Sequence, residues 1–141
     1  MSVGRICTRE VELADADENV WQAAERMRQR AVGTLIVMDN AKNPIGIITD
    51  RDLVERVLAK RLDPNSTTIA EVMTQAPRTV PEQLPIEQAI SLMRRERCRR
   101  LPVVDEHGRL AGLLSLDDIL QLLSEELTTV GELLQRQAPL A

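Results

Sequence analysis

The sequence predicts an α+β fold in which two β-α-β-β-α repeats pack sheet to sheet with pseudo-two-fold symmetry. Three observations predict it. Sliding the chain by 66 residues aligns its halves without a gap: Gly33–Asp39 falls on Arg99–Asp105, Gly46–Leu53 on Gly112–Ile119, and Val20, Ala23, Met27 and Arg28 on Ile86, Ala89, Met93 and Arg94. Separate features sharing one offset mark an internal repeat rather than two amphipathic stretches that happen to look alike. Within each copy the apolar period switches from helical to strand-like and back. Finally, 141 residues suffice for one core without disulfide or metal staples. A single copy, by contrast, cannot bury both faces of its own hairpin, and two can.

Each element follows in order. Val20, Ala23, Ala24 and Met27 recur at helical spacing, as do Ile86, Ala89, Ile90 and Met93, with Pro85 suited to the first turn of the latter helix. Leu35–Met38 and Leu101–Val104 are short apolar, β-branched runs that predict buried strands. Polar turns, Asp39–Pro44 and Asp105–Arg109, lead to second apolar runs, Ile45–Ile48 and Leu110–Leu114, completing two hairpins. Helices follow, with Leu53, Val54, Val57 and Leu58 on one face in the first copy and Ile119, Leu120, Leu123 and Leu127 in the second. Ile69–Met73 predicts a helical turn, and Arg78–Val80 an extended segment. The boundaries read as repeat 1 over 1–60, a polar linker over 61–68, repeat 2 over 69–127, and a C-terminal helical extension and tail over 128–141, running past Gly131 through Leu133 and Leu134.

Composition removes several function classes. Trp21 is the sole aromatic residue, so stacking platforms for single-stranded nucleic acid are missing. The net charge of −4 gives no global field for duplex DNA or an anionic membrane, and nucleic acid is not an expected partner. No run approaches 18 apolar residues, and Met1–Arg5 lacks a signal pattern, so the expected location is cytoplasmic, with Cys7 and Cys98 reduced. Two cysteines and one histidine, His107, form no metal-ligand cluster by spacing, and His107 falls in a hairpin turn. No credible nucleophile or general base emerges, so no enzymatic role is expected. Met27, Met93 and Trp21 read as packing residues.

The chemistry concentrates where the second strand of each hairpin hands over to a helix. Gly46 and Gly112 remove a side chain where backbone meets a neighbour or a ligand. Thr49 and Ser115 stand at the helix start, placed to cap it or to offer a hydroxyl to a phosphate. Asp52 and Asp118 lie one turn on, where a carboxylate can accept both hydroxyls of a ribose. The same spacing is also that of a capping box. Asp50 lies beside Asp52 on the helix N-terminus, and Arg51 is a candidate phosphate donor that repeat 2 replaces with Asp117. In the run Arg94–Arg100, the first arginines complement a helix C-terminus, whereas Arg99 and Arg100 immediately precede a strand and can turn toward a central cleft.

A Gly-φ-φ-Thr/Ser-x-x-Asp turn after an apolar hairpin, twice in register, together with Leu101–Asp105 and with Val72-Met73-Thr74 followed by Pro77, resembles the tandem cystathionine-β-synthase (CBS) domain pair, or Bateman module, over about Val3–Leu127. The resemblance implies a regulatory module that binds an adenosine-containing ligand (AMP, ADP, ATP, S-adenosylmethionine or NAD), with or without Mg²⁺, and signals occupancy to an effector protein. It also implies that Arg99 and Arg100 reach ligand phosphates. Repeat 1 carries Gly33 and Thr34 there, so the two sites are not expected to be equal. The alternative is a ligand-free dimerisation scaffold. Either way the wide apolar arc Leu116–Leu127 predicts a homodimer that meets through helices.

Overall fold

The computed structural model describes residues 1–137; the last part of the expected tail, 138–141, lies outside the described residues. The elements are α1 (Val3–Ile6), β1 (Leu13–Ala14), α2 (Val20–Arg30), β2 (Thr34–Met38), β3 (Pro44–Thr49), α3 (Asp50–Leu53), α4 (Ile69–Val72), β4 (Thr74–Gln75), β5 (Val80–Pro81), α5 (Ile86–Glu96), β6 (Arg100–Val104), β7 (Leu110–Ser115) and α6 (Leu116–Gln137). Local chemistry sets the boundaries. Asn19 accepts from the Gln22 N–H at 2.8 Å while the Gln22 side chain accepts from the Asn19 N–H at 2.9 Å, closing the N-terminus of α2. Ala31 (φ 54°) and Arg97 (φ 53°), equivalent positions in the repeat, end α2 and α5 in the left-handed region. Each hairpin turn folds around an aspartate. Asp39 accepts from the Ala41 and Asn43 N–H groups, and Asp105 from those of His107 and Arg109. These bonds hold both carboxyls below their ordinary value.

The strands form two sheets, β1-β2-β3-β4 and β5-β6-β7. In each hairpin the glycine stands opposite a valine: Val37 pairs with Gly46 and Val103 with Gly112. Alternation along β2 and β6 separates two faces. Leu35 and Val37 point into a core with Val20, Ala23, Met27 and Ile48; Leu101 and Val103 point into a second with Ile86, Ala89, Met93 and Leu114. Ile36 and Pro102 are fully buried yet belong to neither helix-covered core, which places them where the hairpins face each other. The Leu110 N–H donates to the Lys42 carbonyl at 3.2 Å, tying one hairpin to the turn of the other.

The copies also exchange their opening turns. Val3 and Cys7 from the N-terminus complete the core of the second copy. Ile69 and Val72 of α4 complete the core of the first, and β4 joins the edge of the first sheet. In the reciprocal place Thr8 bridges to Leu113. Neither core is finished by its own repeat alone.

The helix faces are narrower than periodicity predicts. Ala24 and Ile90 are exposed, leaving Val20, Ala23 and Met27, and Ile86, Ala89 and Met93, as the buried stripes. After α3 the chain passes through a π-helical turn, Val54–Leu58, whose widened pitch leaves Val57 buried and Val54 and Leu58 exposed rather than sharing one face. In α6 Ile119 alone is buried among the described residues; Leu120, Leu123 and Leu127 are exposed, because the helix leaves the sheet after its first turns. Trp21 is also exposed.

Candidate functional site

The pseudo-two-fold axis generates two clefts from equivalent parts. The first, about 610 Å³, is lined by Ile47 of β3, by Thr74, Ala76, Pro77, Arg78 and Thr79 from the segment entering the second copy, and by Glu96, Cys98, Arg100 and Pro102. The second, about 210 Å³, is lined by Thr8, Glu10, Val11 and Glu12, by Val32, Gly33 and Thr34, and by Arg100, Leu113, Ser115 and Asp117. Thr8 and Thr74 correspond, as do Glu12 and Arg78, Val32 and Cys98, and Leu113 and Ile47. A recess of about 230 Å³ beside the second cleft is bounded by Arg99, Arg100, Ser115, Leu116 and Asp117.

At the end of each second strand the hydroxyl and carboxylate form a closed box. Asp52 Oδ2 accepts from the Thr49 N–H at 2.9 Å while Thr49 Oγ1 accepts from the Asp52 N–H at 3.2 Å. Asp118 and Ser115 repeat this at 2.9 and 3.1 Å. Both are capping boxes, worth about 1 kcal/mol each to the helix start. Each leaves the other carboxylate oxygen facing the segment that lines the cleft. Asp118 Oδ1 accepts from Thr8 Oγ1 at 3.4 Å. Asp52 Oδ1 instead lies 3.5 Å from Arg56 Nε, and Arg56 donates to the Val72 carbonyl at 2.7 Å and to Thr74 Oγ1 at 3.3 Å. The two carboxylates therefore differ: one is held by a guanidinium, the other by a hydroxyl.

The remaining expected site residues divide. Arg100 is central, lining both clefts and the recess, while Arg99 reaches only the recess. Arg51 is exposed and paired with Glu55 at 2.7 Å. Asp50 is exposed; its Oδ1 accepts from the Arg51 N–H, and its carboxylate lies over Gly33, whose missing side chain makes room for it. Gly46 and Gly112 admit neighbouring chain. A Cβ on Gly46 would collide with the Met73 side chain, and one on Gly112 would stand 2.8 Å from both Cys7 Sγ and the Thr8 carbonyl oxygen. Burial pushes the Cys7 and Cys98 thiols up. Among the described residues no three His, Cys, Asp or Glu side chains converge to hold a metal ion.

Sequence reasoning missed Arg56, Arg78 and Thr34. Arg56 lies in the π-helical turn, which no sequence pattern marks. Arg78 was visible as the charge-reversed counterpart of Glu12 at the repeat offset. Thr34 is 7% exposed, and its hydroxyl has no hydrogen-bond partner among the described residues.

Comparison with known proteins gives a consistent result. The family model for the CBS domain matches residues 3–59 and again 69–125. An uncharacterized protein of Methanopyrus kandleri is 34% identical over 132 residues, covering 94% of this chain and 67% of its own length. Hypoxic response protein 1 of Mycobacterium tuberculosis is 34% identical over 125 residues, covering 89% of this chain and 82% of that one. The structure of hypoxic response protein I with two coordinated zinc ions superposes with a TM-score of 0.76 at 30% identity, over 86% of this chain and 98% of that one. The CBS domain pair of protein MJ0100, in complex with 5′-methylthioadenosine and S-adenosyl-L-methionine, gives a TM-score of 0.80 at 26% identity, over 89% of this chain and 98% of that one.

Proposed function

This chain belongs to the CBS-domain family, with two copies of the domain in tandem, and from that premise we propose that it is a regulatory module that binds an adenosine-containing ligand and passes its occupancy to an effector protein. The observation that carries the reading is the pair of clefts built from equivalent segments, the second lined by Ser115 and Asp117, together with the hydroxyl–carboxylate box that follows each second strand. Asp52 and Asp118 accept the ribose hydroxyls in their respective clefts. Thr49, Ser115, Arg99, Arg100 and Arg51 supply donors for phosphate where the ligand carries it, and Gly46 and Gly112 let the lining segments close over the strands. The bound adenosyl ligands of the MJ0100 pair support this class of ligand. The role proposed for the module is to bind the ligand without turning it over. No helix among the described residues is long and apolar enough to cross a membrane, and the proposed setting is the cytoplasm.

We propose a homodimer through helices as the working assembly. Leu120, Leu123, Leu127, Val130 and Leu134 of α6 recur at alternating spacings of three and four and are all about half exposed or more, the seam pattern of paired helices. Val54 and Leu58 add apolar surface beside the first copy. A related CBS-CP12 protein, with a TM-score of 0.78 at 30% identity over 85% of this chain and 69% of that one, is hexameric. A ligand-free dimerisation scaffold is the rival reading, favoured by the fact that both carboxylates already serve as cap acceptors. A thermal-shift panel of adenosine, AMP, ADP, ATP, S-adenosylmethionine and GMP, with and without Mg²⁺, separates the two. A ligand at 100 times its Kd adds about 2.7 kcal/mol, which at this size raises the Tm by roughly 5–10 °C. No shift with any adenosine compound refutes the regulatory reading.

A further inference from the structure

We propose that the two clefts have diverged in the charge of the ligand they accept: the larger takes an anionic, phosphate-bearing nucleoside, and the smaller takes an uncharged or cationic one. This rests on the adenosyl-binding reading above and assigns a ligand class to each cleft. The pseudo-symmetry makes the comparison position by position. The segment lining the large cleft carries Arg78; the equivalent residue of the small cleft is Glu12. Ala76 of the large cleft is matched by Glu10 of the small one, and Asp117 lines the small cleft where the first copy has Arg51; Arg100 lines both clefts, and Glu96 of the large cleft is matched by Arg30. Among the charged lining residues the large cleft therefore carries Arg78 and Arg100 against Glu96, whereas the small one carries Arg100 against Glu10, Glu12 and Asp117.

The pairing of these charges keeps the difference. In the large cleft the one acid, Glu96, is shared between Arg78 at 3.7 Å and Arg95 at 3.5 Å, and Arg100 stands without an ion pair among the described residues. In the small cleft Glu12 lies 3.9 Å from Arg30, while Glu10 and Asp117 have no ion-pair partner among the described residues. Arg99 and Arg100 bound the recess where a phosphate beside Ser115 would go, but Asp117 bounds it too. A phosphate there meets three carboxylates around the cleft and recess, a cost that a neutral or positively charged ligand avoids.

A second observation shows that the small cleft is built for a polar ligand. Thr34 lines it and is more than nine-tenths buried, and its hydroxyl, itself buried beneath the cleft surface, has no hydrogen-bond partner among the described residues. A buried hydroxyl without a hydrogen bond is costly, and a ligand group placed against it removes that cost on binding. The large cleft has Arg100 at the equivalent position.

Calorimetric titrations with AMP and with adenosine test the assignment on the full chain. The expected result is one AMP per chain, weakened at least tenfold by Arg78→Glu, and an additional adenosine site that Arg78→Glu leaves intact. Glu12→Arg/Asp117→Arg is expected to raise the AMP count from one to two per chain. The milder Glu10→Gln/Glu12→Gln pair tests the same point without adding charge, and is expected to strengthen AMP binding in the small cleft at least fivefold. Two equivalent AMP sites in the parent protein, or a single AMP site unmoved by Arg78→Glu, overturn the divergence while leaving nucleotide binding in place. Failure of both AMP and adenosine to bind overturns the adenosyl reading, and the divergence with it.

Discussion

Replacing Thr34 by valine removes one hydroxyl and keeps the shape of the side chain, and the consequences for stability and for binding should have opposite signs. The hydroxyl is buried, belongs to a residue that lines the small cleft, and has no hydrogen-bond partner among the described residues. An unsatisfied buried polar group costs about 1–3 kcal/mol, which the valine recovers. The unfolding entropy of a chain this size is about 0.3 kcal/mol/K, so the Tm should rise by roughly 3–10 °C. With the donor gone, a neutral nucleoside loses a hydrogen bond of about 0.5–1.5 kcal/mol, or roughly 2- to 10-fold in affinity. Scanning calorimetry of parent and Thr34→Val, each with and without adenosine, reads both effects at once. A variant less stable than the parent, or one with an undiminished adenosine shift, refutes the claim that this hydroxyl is held unpaired for a ligand.

Three further outcomes follow from the packing. Gly112→Ala places a Cβ 2.8 Å from the Thr8 carbonyl oxygen, which is held in the backbone; an overpacking cost of about 1–3 kcal/mol should appear as a lower urea midpoint at unchanged slope, and an unaltered midpoint removes the close-approach role of that glycine. Leu123→Glu/Leu127→Glu, on the exposed seam of α6, should halve the mass seen by light scattering from about twice the 15.8 kDa chain to that of the monomer, whereas a monomeric parent contradicts the dimer. The Glu18 carboxyl is held below its ordinary value by the Arg26 guanidinium at 2.6 Å. Its stabilisation is therefore present above the unfolded-state value and is lost as pH falls through the folded one, so Glu18→Gln should flatten the acid limb of the stability curve.

The hairpins and the helix-start boxes were legible because short-range chemistry dictates them. Short continuous apolar runs placed β2, β3, β6 and β7 to within one residue at either end, and Thr49 and Ser115 announced their caps by spacing alone. The repeat offset carried the pseudo-symmetry, down to the matched left-handed residues Ala31 and Arg97. The exchange of opening turns was not legible. Val3 and Cys7 are too few to mark which core they enter, and their partners lie more than 70 residues away. The outward turn of Val54 and Leu58 was hidden for a related reason, since a π-helical turn breaks the 3.6-residue period on which the apolar stripe was read. At the site, residue types were legible and their partners were not. That Arg56 holds Asp52 while Thr8 meets Asp118 depends on side-chain positions fixed by segments far apart in sequence.

Calorimetric titration of AMP and adenosine into the Asp52→Ala/Asp118→Ala protein, beside the parent and with the fold of both checked by circular dichroism, tests the central claim most directly. Each alanine removes a carboxylate whose hydrogen bonds to a ribose are worth about 1.5–3 kcal/mol. The account predicts affinity in each cleft reduced about 10- to 150-fold in a protein that still folds. Binding heats and affinities equal to those of the parent contradict it.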